Sequence, residues 1–154
     1  MIRLAHFSGI FILICILAGC TNFASPADSC PVTEPLWLKP PKDAAIPDEP
    51  SFGYFYANED RSMMASAWWA GQEDYQLHMT KEGVKIGWFR LAGAPLEITG
   101  KRTDAKAPPL QADIPTTYPT RFQATGVYFP SEGCWEVTGT AGKSQLTFVV
   151  WVEP

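Results

Sequence analysis

The stretch that decides the fold lies near the C-terminus: RFQATGVYF at 121–129, PSEG at 130–133, CWEVTGT at 134–140, AGK at 141–143 and QLTFVVWV at 145–152. Three runs rich in aromatic and β-branched residues are separated by short segments carrying Pro and Gly. That is the pattern of successive antiparallel strands joined by tight turns.

Working outward, VKIGWFRL at 84–91 begins by alternating Val84 and Ile86 with Lys85, and LEITGK at 96–101 alternates again. Each predicts a strand with one buried face. KEG at 81–83 reads as a hairpin turn. Further strands are expected at 52–56 (FGYFY), 64–70 (MASAWWA) and 75–79 (YQLHM). Between 102 and 120, Pro108, Pro109, Pro115 and Pro119 are too many for a central strand or helix, because each removes an amide donor. That segment is expected to cross in an ordered way from one sheet to another. No run shows a sustained helical stripe with caps. The reading is an all-β antiparallel sandwich, with a small closed barrel as the alternative.

The N-terminus carries a different signal. One cation, Arg3, precedes an apolar run at 7–18 (FSGIFILICILA), the length of a signal-peptide core and too short to span a bilayer comfortably. The run ends in Leu17-Ala18-Gly19-Cys20, which resembles the bacterial lipobox. That resemblance implies cleavage after Gly19, acylation of Cys20 (palmitate among the acyl chains) and a membrane partner reached through the lipid. Several acyl chains on one cysteine hold firmly where a single chain is marginal. The alternative is an uncleaved anchor, or an ordinary signal with a chance cysteine. Residues 1–19 are therefore expected to be a removed signal peptide. Residues 20–50, with seven of the fourteen prolines, are expected to be a lipidated spacer, and residues 51–154 the sandwich domain. Leu36-Trp37-Leu38 interrupts the spacer as a segment able to dock on the domain.

If Cys15 leaves with the leader and Cys20 is alkylated, two thiols remain, Cys30 and Cys134. In an oxidising envelope compartment they are expected to pair. Closing so long a loop is worth roughly 4–5 kcal/mol on a chain-entropy argument. The alternative is a buried free thiol at Cys134.

Charge narrows the partners. Lys and Arg number 12 against 16 Asp and Glu, and loss of Arg3 with the leader would move the formal charge from −4 to −5. Without a basic patch, nucleic acid is not an expected partner. A hydrophobic content of 46% excludes a wholly disordered chain.

Three segments carry a family resemblance: Gly126-Val-Tyr-Phe-Pro130, Glu132-Gly-Cys-Trp-Glu-Val-Thr-Gly139 and Leu146-Thr-Phe-Val-Val150. With Leu96–Asp104 and Ala107-Pro-Pro-Leu110 upstream, they resemble the immunoglobulin-like C-terminal domain of certain bacterial envelope lipoproteins. The resemblance implies an immunoglobulin-like sandwich and a surface location. It implies no activity, and no catalytic residue is carried over.

Candidate chemistry is sparse. Nucleophilic catalysis needs a base beside Ser, Cys or Thr, and after leader removal His78 would be the sole histidine, in what reads as an ordinary strand. Glu59-Asp60 and Glu73-Asp74 lack the spacing of a calcium loop and read as solvated turn charges. Arg102 and Asp104 are expected to pair structurally. No cofactor, metal or enzymatic activity is expected. The adjacent tryptophans Trp68 and Trp69, if on a strand, point to opposite faces, and Trp88-Phe89 would repeat the arrangement. One of Trp68 and Trp69, with Trp88, is the candidate binding set; the competing reading is that both faces are covered. Trp135 is expected in the core. The functional expectation is a non-catalytic envelope module that binds another protein or organises the surface. A carbohydrate-binding module using exposed tryptophan is the alternative. Exposed coplanar aromatics would favour a glycan, and an apolar patch at an edge strand would favour a protein.

Overall fold

The computed structural model describes residues 29–43 and 51–154. Among them run ten strands: β1 (Leu36–Leu38), β2 (Gly53–Ala57), β3 (Met64–Ser66), β4 (Leu77–His78), β5 (Val84–Phe89), β6 (Leu96–Arg102), β7 (Gln111–Asp113), β8 (Phe122–Tyr128), β9 (Gly133–Ala141) and β10 (Ser144–Glu153). One sheet has the order β1-β2-β3-β5-β8-β7, the other β4-β10-β9-β6. Every pairing is antiparallel except β4 with β10. The molecule is an all-β sandwich, as the strand pattern predicts.

Alternation builds the core. Val84, Ile86 and Trp88 of β5 face Trp135, Val137, Phe148, Val150 and Val152 of the opposite sheet, all buried. Gly139 on β9 lies directly under the Trp88 ring, which a Cβ at that position would overlap. Tyr56 stacks on Phe148 with centroids 4.1 Å apart, and burial pushes its phenol up to about 12. The tightest link is the β9–β10 hairpin, whose two-residue turn places Gly142 at φ 61. Lys143 is not among the positive-φ residues, so the turn is of the type that demands glycine first.

Three sequence expectations are corrected. The 64–70 run is not one strand: β3 ends at Ser66, and Trp68–Gly71 form a 3-10 turn closed by Ala70 N–H on the Ala67 carbonyl. The 81–83 segment does turn, with Gly83 N–H on the Thr80 carbonyl, but it joins strands of different sheets and is no hairpin. The sandwich also begins before Ser51. Leu36-Trp37-Leu38 is an edge strand of the larger sheet, and Cys30 is bonded to Cys134 with Cα atoms 5.6 Å apart. Between them, Thr33 donates its N–H to the Val149 carbonyl and accepts the Val149 N–H on its hydroxyl, each at 2.9 Å. The segment 30–38 thus runs from β9 past β10 to the far sheet.

The proline-bearing crossover behaves as expected. It leaves β6, contributes the short edge strand β7 to the other sheet and returns as β8. Edge strands tolerate neighbouring prolines because one side needs no donors. The leader, Cys20 and residues 44–50 lie outside the described residues.

Candidate functional site

The three tryptophans singled out by sequence have separate fates. Trp88 is fully buried, its indole N–H on the Thr125 hydroxyl at 3.2 Å, and Trp69 is 4% exposed. Neither can meet a ligand, which corrects their place in the binding set. On β5, the outward Phe89 is covered as well, packed with Phe55 and Met64 in a second small cluster on the outer side of the six-stranded sheet. Trp68 is half exposed, and its indole N–H is already donated to the Lys85 carbonyl at 2.8 Å. The backbone reason is the 3-10 turn, not strand alternation.

The largest exposed aromatic group lies elsewhere. Trp37 of β1 is the register partner of Tyr54 of β2, so the two share a face, and Phe52 precedes β2 on the same alternation. Trp37 lies 4.8 Å from Tyr54 edge-on and 6.3 Å from Phe52, with those rings 16° from parallel. Trp37 is 58% exposed and Phe52 56%. Tyr56, two residues further, is core. By strand alternation Phe52, Tyr54 and Tyr56 share one face, with Tyr56 in the interior and Phe52 against Trp37 of the edge strand. Leu36, also half exposed, lies on the opposite face of β1, level with Phe55. In the sequence, Leu36-Trp37-Leu38 and the aromatic run at 52–56 are separate features, and nothing local says that they pair.

Titratable groups do not converge on a nucleophile. His78 contacts Asp74 Oδ2 through Nε2 at 3.1 Å and the Pro154 carbonyl through Nδ1 at 3.3 Å, all at the surface. The Asp74 contact, then the Pro154 carbonyl, raises the imidazole pKa, and the same pairing lowers that of Asp74. No serine, threonine or cysteine is among these contacts. Asp60 accepts the Ser62 amide at 2.9 Å, the work of a turn residue, and Asp74 does the same for Gln76 at 3.2 Å. Arg102 and Asp104 form a two-pronged pair (2.8 and 3.1 Å), and Asp104 also accepts the Cys134 amide. This clamp fixes the start of β9 beside the disulfide. Trp135 is fully buried, its N–H on the Ser131 carbonyl.

Among the described residues, no group of three or more His, Cys, Asp or Glu could hold a metal ion, and no helix is long and apolar enough to cross a membrane. No protein-family model matches the chain, nor does any curated protein or solved structure.

Proposed function

We propose that the chain is an envelope lipoprotein with a non-catalytic, immunoglobulin-like sandwich that binds another protein through the Trp37–Phe52–Tyr54 surface. One observation carries the binding assignment: two large aromatic side chains, each more than half exposed, lie against each other, Trp37 on the edge strand of the larger sheet and Phe52 just before β2. Isolated surface apolars are ordinary, but a contiguous aromatic patch at a strand edge suits burial against a partner. The immunoglobulin-like assignment is supported by connectivity. Without β1, β2 and β4, the orders β3-β5-β8-β7 and β10-β9-β6 follow the A-B-E-D and G-F-C arrangement of that fold. The lipid tether rests on the lipobox resemblance at 17–20.

A glycan is the second reading, favoured by the near-parallel Trp37 and Phe52 rings. Two experiments test the proposal. Mass spectrometry of native membrane protein is expected to show an acylated N-terminal Cys20, and an unmodified Cys20 inside an intact precursor would refute the tether. In-cell crosslinking is expected to yield a protein complex that Trp37→Ser with Phe52→Ser abolishes while folding and abundance are kept. An unchanged complex would refute the binding face.

A further inference from the structure

At one end of the sandwich the β2–β3, β5–β6 and β9–β10 turns surround an open cleft of about 620 Å³. That volume is within the range of small-molecule sites. Its charged lining is Asp43, Asp60, Arg61, Arg121 and Lys143, with the hydroxyls of Ser62 and Ser144. We propose that this cleft binds a phosphate group.

Asp43 is paired with Arg121 at 3.3 Å, and the Arg121 Nε also donates to the Arg90 carbonyl. The Ser62 hydroxyl, then the Ser62 amide at 2.9 Å, holds the Asp60 carboxyl below the usual range. Both carboxylates are thus engaged. Arg61 and Lys143 have no ion-pair partner among the described residues. The Ser62 and Ser144 hydroxyls lie 2.8 Å apart, and the Ser62 oxygen already accepts Asn58 Nδ2–H at 3.0 Å. With the Ser62 proton turned to Asp60, Ser144 is the donor of that pair. Two such cations therefore line one cleft, on a chain whose overall charge is −4. Arg61 sits in the β2–β3 turn. It holds φ 54, a conformation that costs a non-glycine residue energy, with its N–H on the Asn58 carbonyl at 3.0 Å. A phosphate offers acceptor oxygens to both cations, and its pairing with Arg is frequently bidentate. The phosphate could belong to a soluble molecule or to a lipid headgroup.

The test is amide NMR of the purified chain at fixed ionic strength, titrated with inorganic phosphate, with acetate and with phosphatidylglycerol vesicles. Saturable shifts at Ser62, Lys143 and Ser144 are expected with phosphate, weaker with acetate, and absent with sodium chloride. Perturbation of these amides by the vesicles assigns the phosphate to a headgroup, and response to phosphate alone assigns a soluble ligand. Arg61→Ala with Lys143→Gln is expected to weaken phosphate binding about tenfold or more, since charge-assisted bonds are lost. Arg61→Lys, which keeps the cation, is expected to retain most of it. No saturable shift with phosphate or vesicles, or shifts unchanged in the double variant, would overturn the proposal.

Discussion

Trp69→Ala removes a side chain packed against Tyr56 and Trp68 from the core, and a loss of about 3–5 kcal/mol is expected. Trp68→Ala removes a half-exposed ring and one hydrogen bond to Lys85, for which about 1 kcal/mol is expected. Chemical denaturation with the disulfide intact separates the two, and equal losses would contradict the assignment of one ring to the core. Arg90 is the less obvious residue. Fully buried on the extension of β5, it donates to the carbonyls of Leu91, Thr120 and Tyr118 and to Gln123 Oε1. Gln123 in turn receives the Tyr118 amide and donates to the Thr116 carbonyl. Together they tie the 114–121 return of the crossover to the sandwich. Arg90→Leu strands several oxygen acceptors, and a loss of about 3 kcal/mol or more is expected in the same assay. The sequence offers no sign of this role. An arginine ending an alternating strand reads as a solvated terminus, and only the crossover folding over it makes it interior. Trp88 was ambiguous in the same way, since its face depends on which side the second sheet covers.

The segment 30–38 is held to the two sheets by different means. The disulfide and Thr33 fix it to β9 and β10, while β1 pairs with β2 in the opposite sheet. Replacing both cysteines by Ser is expected to cost about 2–5 kcal/mol relative to the bridged chain and to lower amide-exchange protection of Leu36–Leu38. Protection of β1 equal to wild type would show that its pairing needs no tether. The parallel strand β4 has a pH dependence of its own. The His78 pKa is raised, so its contribution is full below the unfolded value of about 6.5 and is lost as pH rises through the folded one. The Asp74 pKa is lowered, so its contribution is present above the unfolded value of about 3.9 and is lost as pH falls through the folded one. Exchange protection at Leu77–Met79 is therefore expected to be greatest between about pH 4 and 6.5 and to fall above it, and His78→Phe should flatten the upper limb. A profile unchanged by that variant would show that the pair does not hold β4. Strands β5, β6, β8, β9 and β10 were legible because alternation and Pro/Gly turns coincide there. The run at 64–70 misled because Ala67-Trp68-Trp69 has a strand composition, while the chain leaves β3 there through a 3-10 turn on its way to β4 of the other sheet.

The pattern of strands led to a sandwich, and the two sheets of six and four strands agree with it. What composition could not convey was which apolar residues remain uncovered. Trp37 and Phe52 are separated by fifteen positions, and only the β1–β2 pairing makes them a surface. The cleft is equally nonlocal, assembled from turns that follow β2, β5 and β9. The proposed reading is a tethered sandwich with an aromatic binding edge on the larger sheet. A photo-crosslinking amino acid at position 37, compared in living cells with the same group at Glu97 on β6, tests that reading. A discrete protein adduct from position 37 and none from position 97 is expected. Equal labelling from both positions, or none from position 37 in a chain that is folded and exported, would contradict it.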